Sequence, residues 1–298
     1  MSRKPPEVFY QSNLAWLYPS KHGVFASYKN DDPIGTCMLV YGEWAEQEFD
    51  VIDQLITPSS NCLDVGANIG THTVALSKKC PQGYVFAFEP QFNIYQALNT
   101  NIFLNDCINV IPQNVGISNT IKSITAKAIN PGTNRQTNYG EFRVNHESEH
   151  GMEIKCIKLD EVEYYGQKID FIKLDVEEHE VSVLLSGENL ITNDKPNMYI
   201  EYNSHNGNDD LLRQLKLYGY NCYWHVYPKH NPNNFKNITE NIWASSDTPA
   251  TTPYIDKHFE GNMVAIHSSK DEGRFKEPIE LGFTFVDYLL TRKLIAEL

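Results

Sequence analysis

The chain has 298 residues, 41% of them hydrophobic and 12% aromatic, which is enough for the core of one large domain. Its 38 acidic residues outnumber its 25 basic ones and give a formal charge of −13, which repels phosphate backbones and argues against a general nucleic-acid partner. No apolar run approaches the ~20 residues that cross a bilayer, and no apolar signal core follows the first residues, so we expect a soluble, cytoplasmic protein without membrane insertion.

The organisation of the chain is predicted to be three parts: an N-terminal extension over 1–40, a main α/β domain over 41–268, and a helical tail over 269–298. Within the main domain, residues 228–261 are rich in Asn, Pro and aromatic residues. This stretch is interpreted as a lid, a substrate-shaping insertion or a plain surface loop. The six cysteines are dispersed without a C-x-x-C pair, which predicts reduced thiols rather than disulfides or a zinc site.

The first elements of the chain are two short strands, predicted at 24–28 and 36–41, followed by a helix within 42–56 that Pro58 closes. The helix carries its apolar residues on one face and acids on the other. Three residues at its start are candidates for a cofactor pocket, although a solvated acidic face is the simpler interpretation: Glu43, Trp44 and Glu46.

A glycine-containing turn follows at 61–72, where an apolar strand passes Asp64, turns through Gly66 and Gly70, and leads into a helical pattern. Glycine allows a sharp turn and close approach of a ligand, and the following helix presents unpaired N–H groups. The G-x-N-x-G spacing differs from the dinucleotide motif G-x-G-x-x-G and from the triphosphate loop. Asp64 in the turn indicates a ligand with a cationic group, which the amino group of S-adenosylmethionine (SAM) satisfies better than a pyrophosphate. An ordinary strand–turn–helix with structural glycines is the alternative.

A second buried strand at 83–90 ends at Glu89 and Pro90. A carboxylate there matches the position from which nucleotide-binding sheets grip ribose hydroxyls. After a helix at 94–104 and a strand at 110–114, Asn114 reads a purine edge or belongs to a simple turn. The predicted cofactor contacts are Glu43, Asp64, Gly66, Asn68, Gly70, Thr71, Glu89, Pro90, Asn114 and Asp175.

The second chemical centre follows an excursion of β-strands over 122–158. A buried strand at 169–174 leads to Asp175 and Glu177, which a parallel sheet places at its ligand-binding edge. The alternative is a helix capping box from Asp175 to Glu178, followed by an exposed helix histidine, His179. The remaining predicted elements are a strand at 197–203 that contains Glu201, a helix at 211–217, a strand from 220, a last strand at 262–267 and a closing helix at 283–298.

These motifs resemble FkbM-type methyltransferases of the class I SAM-dependent fold over residues 41–203. The motifs are Gly42-Glu43-Trp44, the Leu63–Gly70 turn, Phe88-Glu89-Pro90, Leu159-Asp160 and Lys173-Leu174-Asp175-Val176-Glu177. The resemblance implies a Rossmann-like, doubly wound, mostly parallel sheet with an antiparallel last strand, plus an N-terminal extension and a C-terminal helix. It also implies O-methylation of sugars, glycans or other small hydroxylated acceptors. The family has Gly after the last Glu, where this chain has Glu178.

A sugar hydroxyl is a poor nucleophile, so it needs a base or a metal ion. The candidates for this catalytic role are Asp175, Glu177, His179, Glu201 and His205. Oxygen ligands from Asp175, Glu201 and Asn203 form a candidate Mg²⁺ site. Two alternatives remain at this point: an RNA ribose 2′-O-methyltransferase, and a non-catalytic SAM-fold binding module. The sequence specifies no oligomeric state.

Overall fold

The structure is a computed structural model that describes residues 8–120, 122–126, 137–140, 151–202, 209–243, 259–273 and 275. Its strands are β1 (Tyr10–Gln11), β2 (Ala15–Ser20), β3 (Gly23–Tyr28), β4 (Cys62–Val65), β5 (Val85–Phe88), β6 (Val110–Gln113), β7 (Gly116–Ile117), β8 (Ser123–Ala126), β9 (Met152–Ile157), β10 (Phe171–Leu174), β11 (Asn197–Glu201), β12 (Tyr220–Pro228) and β13 (Phe259–His267). Its helices are α1 (Ile34–Tyr41), α2 (Phe49–Leu55), α3 (Thr71–Lys79), α4 (Phe92–Leu104), α5 (Glu180–Ser186), α6 (Glu188–Asp194) and α7 (Asp209–Leu217).

A seven-stranded sheet lies at the centre, in the spatial order β12-β13-β11-β10-β4-β5-β6. The five strands from β11 to β6 run parallel, whereas β13 is antiparallel to both of its neighbours. This confirms the predicted doubly wound, mostly parallel sheet with an antiparallel last strand. Because β13 runs in the opposite direction, its first residues lie at the same edge as the carboxyl ends of the parallel strands.

Helices cover both faces of this sheet. Side chains alternate between the faces along each strand, so Leu63 and Val65 pack with α5, α6 and α7, while Cys62 packs with α2 and α3. Asp64 lies opposite Lys173 in the register of β4 and β10, and both therefore belong to the face covered by α2 and α3. Two charged residues are thus placed beneath the edge where ligands bind.

The N-terminal segment forms a separate three-stranded sheet, β1-β2-β3, followed by α1. The strand predicted at 24–28 is confirmed as β3, but the strand predicted at 36–41 is wrong, because α1 occupies these residues. The apolar spacing explains the correction. Buried residues recur at the three- and four-residue intervals of a helix: Ile34, Cys37, Met38 and Tyr41.

The helix predicted within 42–56 begins later than expected. A 3₁₀ turn over Glu46–Glu48 precedes α2, and both Gly42 (φ 73°) and Ala45 (φ 47°) adopt left-handed conformations that prevent an earlier start. The interpretation of a solvated acidic face is also wrong for this part of the chain. Its acids are only 5–8% exposed: Glu43, Glu46 and Glu48.

Most other predicted elements are confirmed within a few residues, including α3, α4, α7 and the strands of the central sheet. The predicted β-excursion is present as β8 and β9, which pair antiparallel. All six cysteines are free and buried. The predicted tail helix at 283–298, residues 244–258, Asn203 and His205 lie outside the described residues. In the described part of the chain, none of the helices combines the length and apolar character that crossing a bilayer requires.

Candidate functional site

A cavity of about 760 Å³, including the part open to solvent, lies where β10, β11 and β12 end and β13 begins. Polar and aromatic side chains from both the central sheet and the N-terminal segment line it. The residues important here are Tyr41, Glu43, Trp44, Glu48, His72, Lys173, Asp175, Tyr199, Glu201, Tyr227, Lys229, Asn231, Trp243, Glu260 and Asn262. The predicted residues Asp175 and Glu201 therefore lie together, at the predicted edge.

An ion pair between Lys173 and Asp175 forms one wall of the cavity, with Lys173 Nζ 2.8 Å from Asp175 Oδ2. The ammonium side chain is 5% exposed, whereas the carboxylate side chain is 36% exposed. Burial alone would lower the pKa of Lys173, but the charges of Asp175, Glu48 and Asp64 outweigh it and raise that pKa. Lys173 therefore stays charged and presents Asp175 to the cavity.

Asp175 and Glu201 form a coupled pair of carboxyl groups. Partial burial opposes ionisation of Asp175, but Lys173 and a hydrogen bond with Glu201 hold its pKa below the usual value. Burial raises the pKa of Glu201 well above the usual range, and the charges of Asp175 and Glu177 act in the same direction. The two pKa values are therefore pushed apart, so Asp175 loses its proton before Glu201 does.

The chain after Asp175 does not form the capping box considered as the alternative. Glu177 (φ 52°) and Glu178 (φ 70°) are left-handed, and α5 begins only at Glu180. Glu177 is turned toward the pair, so ligand oxygens of Asp175, Glu177 and Glu201 lie within 4.8 Å of one another. A left-handed φ at Glu178 also explains the Gly that the resemblance expects there.

A buried network at the floor of the cavity is centred on Glu48, which the sequence analysis did not identify as functional. Tyr227 Oη and Asn262 Nδ2 donate hydrogen bonds to Glu48 Oε1 at 2.7 and 2.8 Å. His72 Nε2 lies 2.8 Å from Glu48 Oε2, and the His72 ring stacks on Phe49 at 5.4 Å between centroids. Burial opposes the ionisation of Glu48, but His72, Lys173 and the hydrogen bond from Tyr227 together outweigh it and lower the Glu48 pKa.

The outer wall of the cavity comes from the described part of the predicted 228–261 insertion. Glu43, predicted to contact the cofactor, accepts hydrogen bonds from Asn231 Nδ2 at 2.6 Å and from the backbone N–H of Phe235 at 2.8 Å. Glu43 therefore anchors this segment to the N-terminal part of the chain. Lys229 Nζ lies 2.8 Å from Glu260 Oε1 and 5.5 Å from the centre of the Trp243 ring.

The glycine turn lies directly beside this cavity. Gly66 (φ 89°), Asn68 (φ 49°) and Gly70 (φ 91°) adopt left-handed conformations. A Cβ atom built on Gly66 would overlap the backbone carbonyl oxygen of Asp175, so only glycine fits there. Among the described residues, no side chain caps α3, whose first residue is the predicted contact Thr71, so the first N–H groups of the helix face the turn. This arrangement fits the predicted cofactor.

Glu89, at the end of β5, is oriented by the main chain. Asn68 N–H and Gln91 N–H donate to its two carboxylate oxygens at 3.0 and 2.8 Å. Burial raises the pKa of Glu89 to about 7. Asn114 donates its side-chain amide to the backbone oxygens of Glu89 and Pro90, at 2.8 and 3.0 Å, and so fixes the end of this strand. Purine recognition by Asn114 stays a prediction.

Two other predicted residues occupy buried positions away from the cavity lining. Asp64 is fully buried and its Oδ2 accepts a hydrogen bond from Thr73 Oγ1 at 2.6 Å, while Oδ1 has no hydrogen-bond partner among the described residues. His179 is 9% exposed before the first turn of α5, and burial lowers its pKa. The interpretation of His179 as an exposed helix histidine is therefore wrong.

Comparison with protein families identifies the family to which the chain belongs. The family described as "Methyltransferase FkbM domain" matches residues 64–222, more than half of the protein. The chain belongs to the FkbM methyltransferase domain family. This confirms the resemblance drawn from the motifs. It also places the glycine turn, Glu89, the Lys173–Asp175 pair and Glu201 of this FkbM protein inside the matched region.

Individual proteins similar to this FkbM protein share limited sequence identity with it, over only part of their length or at low structural similarity. Hexuronic acid methyltransferase AglP from Haloferax volcanii is 35% identical over 132 residues, 43% of this chain and 50% of that protein, so the chain spans about half of its curated relative. The crystal structure of Methyltransferase FkbM from Methylobacillus flagellatus KT shares 17% identity at a TM-score of 0.43, covering 70% of this chain and 44% of that one. M. jannaschii TYW2 in complex with AdoMet shares 13% identity at a TM-score of 0.42, covering 87% and 88%. These low TM-scores support no conclusion about function.

Proposed function

We propose that this FkbM protein is a SAM-dependent O-methyltransferase that methylates a hydroxyl group of a sugar, glycan or other small hydroxylated acceptor. The observation that carries the proposal is the Asp175–Glu201 pair at the cavity, in which the Lys173 ammonium 2.8 Å away holds the pKa of Asp175 below its usual value while burial raises that of Glu201. This pair faces the cavity and adjoins the Gly66 turn through the Asp175 backbone. A proton acceptor is thus held beside the predicted methyl-donor site.

Each charged residue has a separate role in the proposed reaction. SAM, when bound, supplies an electrophilic methyl group on a sulfonium. Asp175 accepts a hydrogen bond from the acceptor hydroxyl and takes its proton as the oxygen–carbon bond forms and the carbon–sulfur bond breaks. Lys173 holds Asp175 in place and keeps it ionised. Glu89 accepts hydrogen bonds from the two ribose hydroxyls, and the close packing of Gly66 on Asp175 sets the distance between donor and base.

Mg²⁺ use is a separate question for the same carboxylates. Asp175, Glu177 and Glu201 are the described residues that would hold the ion, which would polarise the acceptor oxygen as a Lewis acid. Lys173 already supplies a positive charge 2.8 Å from Asp175 and competes for the same position. Initial rates with added Mg²⁺ and with a chelator distinguish a metal-assisted reaction from one in which Lys173 alone is the cation.

The acceptor class rests on chemistry and on the relative. Aromatic side chains from Tyr41, Trp44 and Trp243 line the cavity, and aromatic faces provide apolar surfaces against which a sugar ring packs. The relative from Haloferax volcanii is named as a hexuronic acid methyltransferase, which supports a sugar acceptor here. The carboxylates that line the cavity oppose the phosphates of RNA and disfavour an RNA ribose methyltransferase.

The decisive experiment measures transfer of labelled methyl from SAM to free sugars, glycans, small alcohols and capped RNA. Asp175→Asn is expected to lower kcat for the accepted sugar roughly 10²- to 10⁴-fold while the Kd for SAM changes by less than about threefold. The matched control is Asp53→Asn on the outer surface of α2, where Asp53 pairs with Lys79, and it leaves both values unchanged. Methylation of RNA alone, or SAM binding without transfer to any hydroxyl, contradicts the proposed function.

A further inference from the structure

In both lysine ion pairs that line the cavity, the carboxylate side chain is more exposed than the lysine side chain. The Lys173 side chain is 5% exposed and that of its partner Asp175 is 36% exposed. The Lys229 side chain is likewise 5% exposed, against 30% for its partner Glu260. A ligand that enters the cavity therefore meets carboxylate oxygens, while each ammonium group lies behind its partner.

The Lys229–Glu260 pair lies in the wall of the cavity formed by β12 and β13. Lys229 follows the last residue of β12 and Glu260 lies at the start of β13, so both are at the end of the sheet where the cavity lies. The ammonium of Lys229 lies between the Glu260 carboxylate, at 2.8 Å, and the face of Trp243, at 5.5 Å. The ring of Trp243 and the Glu260 carboxylate thus cover the Lys229 ammonium from two directions.

The charge of the described lining residues is unbalanced toward acids. Besides Glu201, whose pKa is raised by burial, four carboxyl residues face three basic residues, and each basic residue lies within 2.8 Å of a carboxylate. The third base, His72, is held by Glu48, and both side chains are buried. Carboxylate oxygens accept hydrogen bonds, so this lining favours hydroxyl or amino groups and repels an anion.

We propose that the acceptor of this protein carries no anionic group, and that Glu260 sets this preference by holding Lys229 in an ion pair. The inference rests on the proposed function and narrows its substrate class. It separates this protein from its relative named as a hexuronic acid methyltransferase. Removal of the Glu260 charge leaves the Lys229 ammonium beside the cavity, where it is able to pair with a sugar carboxylate.

The test compares matched sugars that differ in one group: methyl hexopyranosides with the gluco, galacto and manno configurations, and the corresponding methyl hexuronosides. For the wild-type protein, kcat/KM for a neutral member is expected to exceed that for its hexuronoside by about tenfold or more, since apposed like charges cost several kcal/mol. Glu260→Gln is expected to raise kcat/KM for the hexuronoside about tenfold. The ratio of kcat/KM for the hexuronoside to that for the neutral sugar is therefore expected to rise, and a thermal unfolding curve like that of the wild type shows that the variant is folded.

Two further variants assign the effect to Lys229. The double variant Glu260→Gln with Lys229→Gln loses the gain on the hexuronoside, because the cation that recognises the carboxylate is gone. Glu153→Gln, an exposed position on β9, is the matched control and leaves both rates unchanged.

The outcomes separate this inference from the proposed function. Wild-type protein that prefers hexuronosides, or a Glu260→Gln variant without the gain, overturns the inference and leaves the proposed function intact. SAM binding without methylation of any sugar in either set contradicts the sugar acceptor class itself, and the inference falls with it.

Discussion

Two carboxylates at the ends of the parallel strands that flank β4 differ in the direction of their pKa shift because they have different partners. Glu89, after β5, is held by main-chain N–H groups, and burial raises its pKa to about 7. Asp175, after β10, is held by the Lys173 ammonium, which outweighs burial and lowers its pKa. The neighbouring group, rather than the position at the strand end, decides whether each carboxylate stays ionised. We call the unit from Asp64 to Glu89 the proposed nucleoside side of the site, and the lining residues Lys173, Asp175, Glu201, Lys229 and Glu260 the proposed acceptor side. A pKa of about 7 makes Glu89 sensitive to pH near neutrality.

The largest effect is expected when the cation of the acceptor side is removed. Lys173→Met leaves Asp175, Glu48 and Asp64 without the charge that stabilises them, so the free energy of unfolding at pH 7 is expected to fall by about 3–5 kcal/mol. Denaturant titration measures this loss. Part of it is expected to return as the pH falls, because the unpaired acids then become protonated, and Lys173→Met with Asp175→Asn is expected to be more stable than Lys173→Met alone. Equal stability of the wild type and Lys173→Met contradicts the assigned charge network.

A smaller effect, on the affinity for SAM, is expected where Gly66 packs against the Asp175 backbone, between the proposed nucleoside and acceptor sides. Gly66→Ala forces the turn away from the Asp175 carbonyl, and the Kd for SAM measured by calorimetry is expected to rise roughly 100-fold. Gly166→Ala is a matched control, since Gly166 has a similar positive φ of 73° with nothing within 4 Å of the added Cβ. If both variants bind SAM as the wild type does, the turn does not hold the cofactor.

The pH dependence of SAM affinity tests the nucleoside side directly. Ionised Glu89 accepts hydrogen bonds from hydroxyl donors, so affinity is expected to rise with pH by about tenfold up to its pKa of about 7 and then to level off. Glu89→Gln is expected to bind more weakly and to lose this dependence. The sign is opposite for folding: a raised carboxyl pKa means that the folded state holds the proton, so this group's contribution to stability falls between about pH 4.5 and 7. An affinity that does not change with pH contradicts the role of Glu89.

The smallest effect concerns the strained turn after Asp175. Glu178 has a φ of 70°, which costs a residue with a side chain more than it costs glycine, so Glu178→Gly is expected to stabilise the protein by about 1 kcal/mol. Introducing glycine into a regular helix is expected to have the opposite effect on stability. Gln96→Gly, at an exposed position within α4, is expected to destabilise the protein by about 0.5–1 kcal/mol. Thermal unfolding of both variants measures the two stability changes. A destabilised Glu178→Gly variant would show that the backbone at Glu178 is not strained.

The two sides also differ in how far the sequence predicts them. The nucleoside side lies in one strand–turn–helix–strand unit from Asp64 to Glu89, whose signals are local: glycines with positive φ and acids at strand ends. The acceptor side combines distant segments, including Trp44, Lys229 and Glu260, and it forms only because antiparallel β13 brings its first residues to the edge of β11. No local sequence pattern predicts that these distant segments come together.

Errors in the sequence analysis have related causes. For Glu43 a solvated face was the simpler interpretation because its partner Asn231 lies far away in the chain. Glu48 was not identified because its partners, Tyr227 and Asn262, are equally distant. Residues 36–41 include β-branched and aromatic residues that favour a strand, but packing of the buried residues at helical spacing gives α1 instead. In each case tertiary contacts, rather than local preference, determined the structure.

The approach of Gly66 to the Asp175 carbonyl joins the two sides of the site through main-chain atoms. In the proposed reaction this contact fixes the separation between the methyl donor and Asp175. Substitutions in the outer wall of the cavity are therefore expected to change which acceptor is used without moving the reacting groups.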